Sequence, residues 1–202
     1  MNGQELFDNI GQHLIDDVRP SGYLNKIYDE PTFGQYPFEM LKRMRKTEQS
    51  PVHHPEGNVW NHTLLVVDQA AKVKAKSSDV SAFMWAALLH DIGKPPVTRI
   101  RKNKITAYDH DRIGAKLAEE FLSVFVKDAN FKAKVVGLVR YHMHVFYIVK
   151  DLPFADVQGM KKSTDIKELA LLGLCDRLGR TKPNPEEEKE NVELFLKICS
   201  EM

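Results

Sequence analysis

The sequence predicts an all-α fold. Apolar residues recur at helical spacing in one segment after another, several segments carry helix-start signals, and a single short stretch is the only plausible place for strand. At 202 residues the chain has room for one sizeable core. It shows no internal repeat and no low-complexity segment.

Residues 3–18 carry Leu6, Phe7, Ile10, Leu14 and Val18 at the spacing of one helical face. Residues 19–37 (RPSGYLNKIYDEPTFGQYP) hold turn residues and aromatics with little periodicity. A short basic helix is predicted at 38–47, before the loop QSPVHHPEGN. The helix over about 59–76 puts His62 on a face with Leu65, Val66, Gln69 and Val73. The helix over 79–90 starts on an Asp79 cap, aligns Phe83, Ala86, Ala87 and His90, and stops at His90. The loop KPPVTRIRKNKITAYDHD contains the potential hairpin, around Lys102–Asn103–Lys104. Further helices are predicted at 111–126 (Ile113, Leu117, Ala118, Phe121, Leu122), 131–147 (Val135, Leu138, Val139, His142) and 164–178 (Ile166, Leu169, Leu172, Cys175, Asp176). The last, at 185–200, opens with Pro185 and three glutamates, which suits the positive end of a helix dipole.

Composition narrows the classes of function. Hydrophobic residues make up 43% and charged residues 28%, a globular balance that argues against disorder. A net charge of +1 gives no general electrostatic case for nucleic-acid or membrane-surface binding, although a local basic face remains open. No apolar run approaches the ~20 residues that span a bilayer. Two cysteines, Cys175 and Cys199, in apolar stretches and no leader-like N-terminus set the expectation of a reducing, cytoplasmic location.

The chemistry-bearing residues are, in order, His62, the adjacent pair His90–Asp91, His110, His142 and Asp176. Taken alone, His90–Asp91 reads as an ordinary helix terminus, and His62 or His142 as a core histidine. Direction changes the weighing. His62, His142 and Asp176 each fall on the apolar stripe of their own helix, and a buried carboxylate is costly unless paired or bound to a metal. Helices packed in one bundle would bring such residues together, as in metal sites of helical bundles. The remaining histidines are assigned no ligand role. His144, two residues from His142, is expected at the surface or behind the site. His53 and His54, in a Pro-flanked loop, are expected to be structural or exposed, and His13 receives no function.

The ordered set H…HD…H…H…D resembles the HD-domain superfamily of metal-dependent phosphohydrolases. The segments HPEGNVWNHTLLVVDQA, ALLHDIGKP, YDHDRIGAKLA, VRYHMH and CDRLGR are similar to the HD domain of bacterial tRNA nucleotidyltransferases and its stand-alone relatives. The likeness covers about residues 50–180. It implies a single helical HD bundle over 51–202 with a short N-terminal helical extension at 1–50. By the same resemblance His62, His90, Asp91 and Asp176 would hold one divalent ion. Asp91 would bridge to a second held by His110 and His142, with water as nucleophile toward phosphorus. Mn, Fe, Co, Ni, Mg and Zn all suit such ligands. Asp91 and Lys94 are the expected catalytic residues, with Lys94, Arg112 and Arg180 on the substrate phosphate. Arg140, Arg177 and the cationic loop 95–109 are further candidates for phosphate contact.

The chain departs from neighbouring branches. It is short for a nucleotidyltransferase and lacks the Gly-Ser loop with a paired Asp-x-Asp. It also lacks the GYP element of cyclic-di-GMP phosphodiesterases and the Glu-Asp pair of guanosine-tetraphosphate hydrolases. The expected substrate is a small nucleotide-like phosphomonoester or 2′,3′-cyclic phosphate, with RNA as an open partner and no membrane partner. Two other readings stand beside it: an HD-fold di-iron oxygenase, and a non-catalytic module that senses a nucleotide or RNA.

Overall fold

The computed structural model describes residues 1–102 and 104–202. Along the chain come α1 (Gly3–Asp16), α2 (Ser21–Ile27), α3 (Glu39–Met44), α4 (Val59–Val73), α5 (Val80–Leu89) and the single turn α6 (Lys94–Val97). The strands β1 (Arg99–Arg101) and β2 (Lys104–Thr106) follow, then α7 (His110–Ser123), α8 (Ala129–Tyr141) and α9 (His144–Val149). The chain ends with α10 (Val157–Ser163), α11 (Ile166–Leu178) and α12 (Pro185–Glu201). The fold is all-α. The predicted hairpin is present as an antiparallel pair with Ile100 opposite Ile105, and Asn103, in its predicted turn, lies outside the described residues. No helix among the described residues is long and apolar enough to cross a membrane.

The centre of the bundle is α5. Its sequence VSAFMWAALL is apolar on every side, and Ala82 through Leu89 are all buried, as a helix without a polar face must be. It packs against α1, α4, α8 and α11. Asp79 caps it by accepting from the Ala82 N–H at 3.1 Å, as the sequence predicts. Residues 1–50 share this core: Phe7 stacks on Trp85 at 4.4 Å between centroids, and Phe38 meets Phe121 edge-on at 5.5 Å.

Several element boundaries differ from the periodicity. Helix α1 stops at Asp16, so Val18 is exposed rather than on the buried face. The buried side of α4 runs through Trp60, Thr63, Val67 and Ala70, and Leu65 faces outward. His62 is nevertheless fully buried. The expected helix 131–147 is two helices, because the chain turns at His142–Met143 and restarts at His144. That turn breaks the two-residue offset, and of the two places expected for His144, the surface or behind the site, it rules out the surface. His144 is buried, and its Nε2 accepts the Asp156 backbone N–H at 3.1 Å. Helices α2 and α10 lie where no periodicity was read; each spans seven residues, too few for a clear moment.

Asp79 also meets Lys134 of α8 at 2.7 Å, and these contacts hold its carboxyl below the usual range against the raising effect of burial. Asp79→Ala is expected to cost about 1–2 kcal/mol, combining a lost cap with a half-exposed ion pair. Urea unfolding of both proteins measures this. Because the folded pKa is depressed, the difference is full above the unfolded carboxyl pKa and disappears as pH falls through the folded value. An unchanged midpoint near neutral pH contradicts it.

Candidate metal centre

Three helix ends deliver the candidate ligands. His90 is the C-cap of α5 and His142 the C-cap of α8, while Asp176 lies in the last turn of α11. Helix C-termini carry partial negative charge and favour cations. His110 opens α7 rather than lying in the preceding loop, and the left-handed Asp109 (φ 59°) turns the chain into that helix. His62 comes from the first turns of α4.

Two glycines make the convergence possible by their lack of a Cβ. At Gly93, whose backbone is right-handed helical, a Cβ would run into the carbonyl of His110 and the backbone of Gly114. The glycine after His90–Asp91 therefore serves close approach to α7 rather than a turn. At Gly179 a Cβ would strike the backbone of Val66, so the end of α11 can lie directly on α4.

Asp91 is 1% exposed and stands at the middle of the set. Its two oxygens face different groups. Oδ1 is 3.5 Å from His110 Nε2 and 3.8 Å from His142 Nε2. Oδ2 is 3.3 Å from His90 Nε2, 3.9 Å from His62 Nε2 and 2.6 Å from Lys94 Nζ. Burial would raise this carboxyl, but Lys94 and His90 outweigh it and hold the pKa well below the usual range. Asp176 is likewise lowered despite burial, chiefly by its 2.9 Å bond with His62 Nε2.

The imidazoles are held in one orientation by their own backbone. The Nδ1–H groups of His90, His110 and His142 each lie within donating distance of the carbonyl three residues back: Ala87 at 2.9 Å, Ala107 at 2.7 Å and Val139 at 2.7 Å. Donation there leaves every Nε2 lone pair turned toward Asp91. Burial, opposed by Asp91, pushes His110 down to about 4; burial and His90 lower His142. The Nε2 atoms of His110 and His142 are 3.2 Å apart, two lone pairs facing each other. His90 Nε2 is buried with no hydrogen-bond partner among the described residues. A cation relieves both features, so this donor set fits a divalent metal. Ligand atoms of His62, His90 and Asp91, and those of Asp91, His110 and His142, lie within 4.8 Å of one another.

Sequence reasoning missed Glu56. Its Oε1 is 2.9 Å from both His62 Nδ1 and His54 Nδ1, and its Oε2 accepts the Thr181 backbone N–H at 3.3 Å. The His54 hydrogen bond and the close approach of the His62 imidazole hold Glu56 ionised although burial opposes it. His62, pushed down by burial, is raised overall by Asp176 and Glu56. His54 is therefore not a free loop residue: it is bonded to Glu56 and lines the cavity, and burial pushes it down to about 4. The only sequence signal was two histidines and a glutamate in a Pro-flanked loop just before His62. His53 is exposed, and His13 stacks on Tyr23 away from the site.

The centre floors a cavity of about 440 Å³. Lys94, Arg177 and Arg180 line it, and Val145, Phe146 and Val149 of α9 form an apolar wall. Arg112 is not brought there. It lies two residues after His110, roughly 200° around the helix, and is 62% exposed, 3.9 Å from Asp109. Arg140 is engaged with Asp111 at 2.6 Å, and Arg177 with Glu188 at 2.9 Å.

Comparison with known proteins gives the chain a family. The family model described as "HD domain" matches residues 59–181, more than half of the chain, and the chain belongs to that family. It is also similar to the Multifunctional CCA protein of Methylococcus capsulatus, 30% identical over 189 residues, 92% of this chain and 37% of that protein. The protein of the same name from Halorhodospira halophila is 33% identical over 141 residues, 69% of this chain and 30% of that protein. That from Actinobacillus pleuropneumoniae serotype 5b is 31% identical over 109 residues, 53% and 26%. The chain thus spans well under half the length of these relatives.

A carboxylate that orients a metal-binding imidazole raises its basicity, and its removal weakens metal affinity about 10- to 100-fold. Glu56→Gln is expected to weaken metal binding by that range in chelator-competition titrations, with the helical circular dichroism kept. Unchanged affinity would show that Glu56 only anchors its loop.

Proposed function

We propose that this chain is a metal-dependent phosphohydrolase acting on a nucleotide-like phosphomonoester or 2′,3′-cyclic phosphate. The observation that carries the reading is Asp91: one buried carboxylate whose two oxygens face two separate imidazole groups, beside a lysine and at the floor of a cavity. His62, His90, Asp91 and Asp176 would hold one ion, and Asp91, His110 and His142 a second. When bound, the ions supply activation of water near neutral pH and neutralise charge on the phosphoryl oxygens.

The chain's own residues do the rest. Lys94 and Arg180 hold the phosphate, Lys94 as a point charge and Arg180 through its planar fork. Glu56 keeps His62 in one orientation. The α9 wall, with Phe146 36% exposed, offers an apolar face on which a base can pack while the phosphate meets the floor. Residues 51–202 would then carry the ligands, with 1–50 supporting them through the shared core. An RNA end is the larger member of the same substrate class, a reading supported by the relatives' name, Multifunctional CCA protein.

Purified protein, screened with Mn²⁺, Co²⁺, Ni²⁺ and Mg²⁺ against nucleoside monophosphates and 2′,3′-cyclic phosphates, is expected to show metal-dependent turnover. Asp91→Ala should abolish it, and Lys94→Met should lower kcat/KM by about 10- to 100-fold, the scale of one lost charge-assisted contact. Turnover that survives Asp91→Ala, or no turnover with any of the metals, contradicts the proposal.

A further inference from the structure

Gln49 lies in the loop before α4, where the sequence pattern assigns nothing. Its backbone N–H donates to the Gly57 carbonyl at 3.1 Å, and neighbouring Glu48 pairs with Asn58 in an antiparallel bridge. The residue is thereby fixed to the start of the helix that carries His62. Its side chain is buried, 6% exposed, and lines the cavity.

The amide orientation follows from its partner. Lys94 Nζ donates to Gln49 Oε1 at 2.6 Å, and an ammonium has no lone pair to accept with. The oxygen must therefore face Lys94, which fixes the NH₂ group on the other side. That Nε2 is buried without a hydrogen-bond partner among the described residues. Arg180 Nε, lining the same cavity, is likewise buried and unpartnered among them. Leaving such donors unmet is costly. Two orphan donors and a lysine around one cavity call for a ligand made of acceptors.

We propose that Gln49 is a substrate-binding residue that both positions Lys94 and donates its amide N–H to a phosphoryl oxygen in the cavity that Arg180 also lines. The inference rests on the phosphohydrolase reading only in taking the anion to be a phosphoryl group. Lys94 Nζ is also 2.6 Å from Asp91 Oδ2, so the amide oxygen gives it a second anchor on the cavity side. Gln49 thus accepts from Lys94 while its own amide N–H stays unmet among the described residues.

Calorimetric titration with inorganic phosphate, in excess Mn²⁺, tests it on the wild type, Gln49→Met and Gln49→Glu, with thermal melts to establish folding. Met keeps the side-chain length and removes both polar atoms. Glu keeps an acceptor for Lys94 but replaces the donor by a charge that repels phosphate. Both variants are expected to bind phosphate about tenfold more weakly or worse, with Glu the worse of the two. Should Met fail to fold, Glu alone decides, since it retains the Lys94 contact. Phosphate affinity within twofold of wild type in either folded variant overturns the proposal, as does a wild type that binds no phosphate. Metal-dependent ester hydrolysis with Gln49-independent phosphate binding would defeat this inference and leave the enzyme reading standing. Gln49-dependent binding without any hydrolysis would do the reverse.

Discussion

A carboxylate at 1% exposure, shielded from water in the middle of a helical bundle, sets the terms for everything around it. Burial opposes the charge on Asp91, and Lys94, at 2.6 Å, is the chief group that holds its pKa well below the usual range. The surrounding architecture follows from bringing imidazoles to that carboxylate. Helices α5 and α8 end at the carboxylate with a histidine each, α7 begins there with a third, and α4 and α11 lean together to add His62 and Asp176. Gly93 and Gly179 are small because these helix ends must touch.

The backbone contributes as much as the side chains. Three of the histidines give Nδ1–H to a carbonyl of their own turn, so their ring orientation is set without a partner from another element. His62 is the exception, and it takes its orientation from Glu56 in a loop. That loop also carries His54 and Gln49. The segment before α4 therefore trims the centre on one side, while α9 shapes the cavity on the other.

Much of this was legible in the sequence, for identifiable reasons. His62, His142 and Asp176 sit on apolar helical stripes, and a polar residue repeated on such stripes in several helices signals a shared interior site. Helix α5 shows its stop at His90 and its Asp79 cap in the sequence. The failures share a cause as well. Gln49, His54 and Glu56 lie in a loop, where no periodicity reports which way a side chain points. For His144 the helical offset leaves surface and interior open, and the turn at Met143, which no periodicity reports, puts it inside. Arg112 was placed near the phosphate by its closeness to His110 in sequence, although its position on the helix turns it to solvent. Helices supply direction from sequence, up to and including their last turn; loops do not.

His90, His110 and His142 present bare Nε2 atoms to a space around Asp91 that fits a cation. Long-range ¹H–¹⁵N spectra of the histidine rings at neutral pH, recorded before and during titration with Zn²⁺, test it directly. All three rings should begin as the Nδ1–H tautomer, and their Nε2 resonances should move together as metal is added while the Nδ1–H signals persist. Rings that carry the proton on Nε2, or Nε2 resonances that ignore the metal, would contradict it.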